Sequence, residues 1–327
     1  MAQKRVPPDA VSTDPFEATS IKSEEGVTIT SDKTITYGRD HGATGDGRSV
    51  VIGVGARALA PANDVDDPNG GDPRKVAIGY EASKNDEVFG STVVGYQAAR
   101  DISFSSFDSG RYTAMGYQAA QYADNERMVA VGYQASKNNT SGGAVFGYKA
   151  AEENSGGSLT AVGNYAARNN AGYRVTAVGR RAANENTVRS VVAVGFSAAN
   201  RNTGRYSTLV GNSAGYDNTG EFSVGIGYNA LEDNTGNYVT GIGMSVADGD
   251  GLDDTMTMGD NNVAVGYKAI QNNQASGLIA IGQYAGQDAQ TDDQLIITQQ
   301  DGTRRMVMDL TTGDLQITGT LTENAAL

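Results

Sequence analysis

The sequence predicts an all-β solenoid, and three observations lead there. A phrase of about 16 residues recurs along the chain, in forms such as VAIGYEAS, TAVGNYAARNN and VAVGYKAIQNN. Every copy places an apolar residue directly before an anchoring glycine, and thirteen of fourteen copies place alanine three residues after it. Asparagine then stands seven residues after the glycine in eight copies, from Asn139 to Asn273. A short strict period marks one supersecondary unit stacked on itself.

The anchoring glycines are read as Gly55, Gly79, Gly95, Gly116, Gly132, Gly147, Gly163, Gly179, Gly195, Gly211, Gly227, Gly243, Gly266 and Gly282. Most gaps are 16 residues, one is 15, and three are longer at 24, 21 and 23. Such a period is too short for a strand plus a useful helix, since helical repeats run to about 33 residues or more. Each coil is therefore expected to hold two short strands and two turns. Fourteen coils at roughly 4.8 Å each give a rod of about 65–70 Å.

The first strand of each coil is expected to end at the glycine. A β-branched residue stands three places before it (Val76, Thr92, Thr176, Val192, Ile279) and a mostly small one two places before it (Ala77, Ala130, Ala161, Ala264). That alternation suits a pleated, half-buried surface. The alanine after the glycine, with Val246 as the exception, implies a second, closely packed layer. The far end of the coil is a turn built on Asn139, Asn154, Asn170, Asn186, Asn202, Asn218, Asn234 and Asn273, often followed by glycine two residues on. Stacked coils would set these amides in a ladder. With hydrophobic residues at only 39% and no Trp, a slender coil is expected to expose its Ala and Gly face and to pack there against further chains.

Three segments are expected. Residues 1–45 carry Pro7, Pro8 and Pro15 and then the β-like runs GVTITS and KTITYG, an attachment arm with the first strands of the rod. Residues 46–290 form the rod. Residues 291–327 form a C-terminal β cap or trimerisation segment, with two strands around Gln300-Asp301-Gly302 and a third after Thr312-Gly313-Asp314. A cap is expected because an open solenoid end is a sticky strand edge.

Little here promises chemistry. The chain has one histidine, His41, and no cysteine, so a Ser-His-Asp or Cys-His mechanism would have to use His41. No pair of carboxylates is located across a cleft. No catalytic residue, cofactor or metal site is expected. Two of the long gaps are acidic loops, one with Asp64, Asp66, Asp67 and Asp72, the other with Asp248, Asp250, Asp253 and Asp254. Oxygen-rich loops can hold calcium, but Leu252 occupies a would-be ligand position and no closing glutamate follows, so they read as solvated loops. The third insertion carries Phe104 and Phe107, which either bind a partner or plug a subunit interface. Insertions on one face of a repeat protein are where binding usually sits. The candidate surface-binding residues are therefore Asp66, Asp67, Phe104, Phe107, Asp253 and Asp254. Tyrosine follows the glycine in seven copies (Tyr80, Tyr96, Tyr117, Tyr133, Tyr148, Tyr228, Tyr267); such a column either packs on itself or offers rings to sugars, and packing is the simpler reading.

The net charge of −13 offers no basic footprint for nucleic acid and would keep rods apart in solution. No apolar run reaches membrane length, so membrane insertion is not expected.

The phrases VAIGYEAS, VVIGVGARA and VAVGYQAS resemble the head repeats of trimeric autotransporter adhesins of the YadA type, which are left-handed parallel β-rolls with three chains to a fibre. The longer forms NALEDNTGNYVTGIG and AANRNTGRYSTLVGNSAG are more similar to repeats in bacteriophage and related viral tail-fibre proteins. The resemblance covers roughly residues 50–290. MAQKRVPPDAVSTDPFEATS has no apolar signal core and GDLQITGTLTENAAL does not read as a membrane-barrel strand, which favours the viral group. The faint likeness of GATGDG to the opening of pectate-lyase-like tailspikes lacks its aspartate-rich continuation. The resemblance implies a left-handed β-roll in a parallel homotrimer. It implies a structural fibre or spike located on the virion of a tailed virus, docked through its N-terminal arm to virion base or capsid proteins and meeting a host-surface glycan or protein. The alternatives are a trimeric capsid decoration or head-fibre protein that stabilises the capsid, and a YadA-like adhesin on a bacterial cell surface.

Overall fold

The architecture is that of a computed structural model, which describes residues 35–37, 50–53, 56, 75–85, 90–102, 111–124, 127–249 and 258–319. It is all-β: a solenoid of about 12 turns of roughly 16 residues, with no helix among the described residues. Two contact units divide the chain, Met1–Asp32 and Lys33–Leu327, and all described residues belong to the second.

The strands follow one another along the rod. β1 (Ile35–Tyr37) and β2 (Val50–Ile52) precede β3 (Val76–Ile78), β4 (Thr92–Val94), β5 (Arg111–Met115) and β6 (Arg127–Val131). β7 (Gly143–Phe146), β8 (Leu159–Val162), β9 (Val175–Val178), β10 (Val191–Val194) and β11 (Thr208–Val210) form the middle. β12 (Val224–Ile226), β13 (Thr240–Ile242), β14 (Val263–Val265) and β15 (Ile279–Ile281) lead to β16 (Gln294–Thr298). Each strand from β1 to β15 pairs in parallel with the next, in a register that sets equivalent repeat positions opposite one another, such as Val192 with Thr208 and Val194 with Val210.

The anchoring glycine is fixed by its neighbours. Gly195 sits at φ +139, and a Cβ there would lie 2.1 Å from the carbonyl oxygen of Gly211 in the next coil. Backbone conformation and close approach both demand a residue without a side chain. The column also corrects the reading of the first copy. Val51 pairs with Ala77 and Ile52 with Ile78, so Gly53, not Gly55, aligns with Gly79. Both glycines follow an apolar residue and precede an alanine by three, because a slip of two residues preserves every inward and outward position.

Each coil carries one strand rather than the expected two. The opposite wall is a run of turns in which alternate residues adopt left-handed backbone, most of them not glycine (Gly215 and Gly286 are exceptions); Ser197, Ala199 and Arg201 have φ of 53, 52 and 55. These residues aim their N–H groups alternately along the rod. Ser197 donates back to the Arg180 carbonyl (2.9 Å), Ala199 forward to Ala214 (2.8 Å) and Arg201 back to Asn184 (2.8 Å). The backbone is satisfied without a second ladder. Left-handed conformers cost about 1–3 kcal/mol each in isolation, so this wall is stable only when coils are stacked on both sides.

The core is a thin seam between the two walls. Residues two before the glycine (Ala177, Ala193, Leu209) and three and four after it (Ala182, Ala183, Ala198) are fully buried. This corrects the expectation of an exposed Ala and Gly face: alanine is the filling because the walls are close. Volumes are traded across the seam. A Cβ on Gly215 would fall 2.3 Å from the Leu209 side chain, one on Gly225 would lie 3.0 Å from Leu231, and one on Gly241 would lie 3.0 Å from Val246. Val246, the exception to the alanine rule, fills the space that Gly241 leaves.

The asparagine ladder closes the coil as expected. Asn154, Asn170, Asn186, Asn202, Asn218 and Asn234 each donate Nδ2–H to the Oδ1 of the asparagine one coil earlier, at 2.6–3.1 Å. The same amide nitrogen of each donates to the carbonyl two residues on. All are fully buried.

The repeat stops where Thr298 takes the glycine position. Thr298 Oγ donates to the Gln283 carbonyl at 2.7 Å, and a bulge falls between Ile297 and Thr298. The chain then reverses into β17 (Arg304–Asp309), antiparallel to β16, and β18 (Leu315–Ile317), antiparallel to β17. The turns fall where the sequence places them.

Candidate interaction surfaces

Three surfaces emerge from the side chains that the seam cannot hold. The first is the outer face of the strands. Inward residues are fixed by the seam, so the residues one and three places before each glycine point away from it. Those one place before the glycine form an apolar stripe exposed along much of the rod, from Met115 through Phe146, Val178, Ile226 and Ile242 to Ile281. Ile226, Ile242 and Ile281 each expose 40% or more of their surface. One exposed isoleucine is ordinary, but a row of apolar, mostly β-branched residues on a sheet is a surface that water leaves at a gain.

The second surface is the outer side of the turn wall, where identical residues stack. Tyr80, Tyr96, Tyr117, Tyr133 and Tyr148 lie ring on ring, with centroids 5.0–5.1 Å apart and planes within 12°. Each ring inside the column has both faces covered, leaving edges and hydroxyls outward, so the rings serve packing between coils. Beside them Gln134, Gln118 and Gln97 pass a hydrogen bond down to Glu81, each amide donating to the coil before it at 2.8–3.1 Å. The Lys84 ammonium, together with Gln97 and Arg100, holds the Glu81 carboxyl below its usual range. A second column, Tyr206, Phe222 and Tyr238, stacks at 4.7 and 4.9 Å on the turn edge. These aromatics lie five residues before their glycines, a position that holds Ser158, Arg174, Ser190 or Asn261 in other coils, so the periodicity alone does not mark them.

The third surface is a hollow of about 460 Å³ on the turn wall, lined by Tyr165, Arg168, Arg180, Arg181, Asn184, Glu185, Asn200, Arg201 and Tyr216. Three of its arginines lie over rings: Arg168 over Tyr165 (5.5 Å), Arg180 over Phe196 (5.4 Å) and Arg201 over Tyr216 (5.0 Å). Arg168 also pairs with Glu152, and Arg201 with Asp217, whose carboxylate strengthens the hold of that guanidinium on its proton. Two larger hollows, of about 700 and 870 Å³, share Arg127, Gly143 and Ala144 in their linings.

The arginine hollow marks a charge asymmetry that net charge conceals. Residues 154–216 contain seven arginines (Arg168, Arg174, Arg180, Arg181, Arg189, Arg201, Arg205), no lysine and a single acid, Glu185. A sliding window of charge would have found this belt; a whole-chain sum of −13 does not.

The residues proposed from sequence do not meet in a described site. Asp66, Asp67, Phe104, Phe107, Asp253 and Asp254 lie outside the described residues, as do His41, Asp64, Asp72, Asp250 and the segment 1–34. Asp248, from the second acidic loop, is described and nearly buried. Burial, and the negative charge of Glu232, raise its carboxyl to about 7. Among the described residues no group of three His, Cys, Asp or Glu is placed to hold a metal ion, and no helix is long and apolar enough to cross a membrane. The chain matches no known family model, no curated protein and no solved structure.

Proposed function

We propose that this chain is the subunit of a trimeric fibre or spike on a virion, a left-handed β-roll of about fourteen coils that projects a rigid rod towards a host surface. The observation that carries the reading is the apolar strand face. A side-chain strip of Val, Ile, Met and Phe exposed along one wall of a rod is stable in water when like strips cover it. Three parallel copies do so symmetrically about one axis. Covering it by a copy in register sets each coil against its own equivalent, an arrangement with which the strict repeat is compatible.

The rest of the molecule fits a passive, rigid role. The inter-coil ladders of glycine, asparagine, glutamine and tyrosine side by side stiffen the rod along its length. Attachment is by avidity, with three copies of each weak site on one particle. The N-terminal arm is assigned to docking on the virion base or capsid.

Multi-angle light scattering on the full chain tests the reading. A mass three times the 34.0 kDa chain, constant on dilution, is expected. A monomer at every concentration would overturn it, because the strip would then be stable uncovered.

A further inference from the structure

We propose that the arginine hollow binds an acidic oligosaccharide, with the Arg180 and Arg181 guanidiniums taking its carboxylate or sulfate groups. The proposal rests on the surface-attachment reading above, in which the strand face is covered and the turn wall looks outward.

Four observations converge. The hollow has the volume of a small-ligand site. Its lining carries four arginines (Arg168, Arg180, Arg181, Arg201) against Glu185, and with the Glu152 and Asp217 partners of Arg168 and Arg201 counted the hollow stays one charge positive within a chain of −13, so its field favours anions. Arg168 and Arg201 have carboxylate partners, whereas Arg180 lies over the Phe196 ring and Arg181 has no ion pair among the described residues. A guanidinium presents a planar fork that matches a carboxylate or sulfate. Finally, Asn184 donates to Asn200 Oδ1 at 3.1 Å, which leaves Asn200 Nδ2 without an acceptor among the described residues. That amide and the hydroxyls of Tyr165 and Tyr216 suit sugar hydroxyls.

The same geometry disfavours nucleic acid. The belt spans four coils, about 20 Å along the rod, and carboxylates bound it: Glu152 and Glu153 on one side, Asp217 and Glu221 on the other. A duplex bearing a charge every ~1.7 Å would overrun those acids. The rings that could stack bases have guanidiniums over them. A short saccharide with separated charges fits within the belt.

The substitution that tests this can be read from the fold itself. Asn212 and Ser213 stand in the coil anchored by Gly211 where Arg180 and Arg181 stand in theirs, and Ser213 and Arg181 share a left-handed φ of 53 and 59. Arg180→Asn with Arg181→Ser therefore keeps a sequence that the coil already accepts. The full chain is titrated calorimetrically with tetragalacturonate, a sulfated tetrasaccharide, neutral maltotetraose and a short DNA duplex, at low and raised salt. The expected result is salt-sensitive binding of at least one acidic saccharide and not of maltotetraose. Affinity should fall about tenfold or more in the double variant and rise in Glu185→Gln. It should stay within about twofold in Arg174→Ser with Arg304→Ser, which removes two charges outside the hollow. The proposal is overturned if both acidic saccharides fail to bind, if maltotetraose binds equally, if the double variant binds as well as the parent, or if the duplex binds more tightly. Light scattering on the same samples separates the two readings: a trimer that fails to bind overturns the site alone, and a monomer that binds overturns the fibre alone.

Discussion

Replacing Asn202 by leucine tests whether the asparagine ladder is a cooperative element or a row of independent turns. Asn202 lies mid-ladder and fully buried. Its Nδ2 donates to Asn186 Oδ1 (3.1 Å) and to the Gly204 carbonyl (2.8 Å), and its Oδ1 accepts from Asn218 Nδ2 (2.8 Å). Leucine keeps the approximate volume and removes all three bonds. The Gly204 carbonyl retains the Ser207 hydroxyl at 3.0 Å, but Asn186 Oδ1 and one Asn218 N–H are left in a dry column. Each buried group stranded in this way costs about 1–3 kcal/mol. Allowing for the apolar area that leucine buries, the loss should be about 3–4 kcal/mol. Asn273 supplies the control. It makes the same turn, with Nδ2 donating to the Ala275 carbonyl (2.6 Å) and Oδ1 accepting from the Ala275 N–H (3.0 Å), but it stands outside the Asn139–Asn234 run. Asn273→Leu should cost about 1–2 kcal/mol. Urea unfolding followed by circular dichroism reads both, with the losses compared within one cooperative transition. Equal losses in the two variants, or a loss below about 1 kcal/mol at Asn202, would refute the ladder as a source of stability.

Three further outcomes follow from individual residues. Gly195→Ala should cost more than about 3 kcal/mol, because φ is +139 and the new Cβ meets the Gly211 carbonyl at 2.1 Å; Gly313→Ala, at φ +81 with no atom within 4 Å, should cost about 1 kcal/mol, and thermal melts compare them. The Asp248 carboxyl, raised to about 7 from an ordinary 3.8, binds its proton more tightly folded than unfolded. Its contribution is therefore fully favourable below about pH 4, declines as pH rises from there to about 7 and is flat above. Asp248→Asn should raise Tm at pH 8 and leave it unchanged at pH 4, and a uniform shift at both would contradict the assignment. Val178→Lys with Ile226→Lys, on the exposed strand face, should convert the assembly to monomer by light scattering while circular dichroism stays that of the parent; an intact assembly would place the interface elsewhere.

Much of the fold was legible because stacking makes chemistry repeat. The glycine, the alanine and the asparagine each recur at a fixed place; the glycine and the asparagine meet their own equivalents one coil away, and the alanine carbonyl accepts from the N–H of the coil before it. Three features were not legible. The left-handed turn wall is built from Ser197, Ala199 and Arg201, residue types that carry no preference for that backbone, so only the neighbouring coils impose it. The side on which the rod is apolar depended on which wall owned the seam. Alanine on both walls leaves that undetermined until Leu209 is seen opposite Gly215. The arginine hollow joins residues from four coils at different repeat positions, and no single copy of the phrase displays it.

The central claim is that like strand faces meet, parallel and in register. Because the chain lacks cysteine, single cysteines test it cleanly. Val178→Cys and Ile281→Cys lie far apart on the strand face, and Asn212→Cys lies on the opposite wall. Each is oxidised at low protein concentration and resolved on denaturing gels. A disulfide needs Cβ atoms about 4 Å apart, so identical positions can join only where two copies meet in register. Covalent dimers at both Val178→Cys and Ile281→Cys, and none at Asn212→Cys, are the predicted result. Free thiols at both strand-face positions, or linkage at Asn212→Cys instead, would contradict the account.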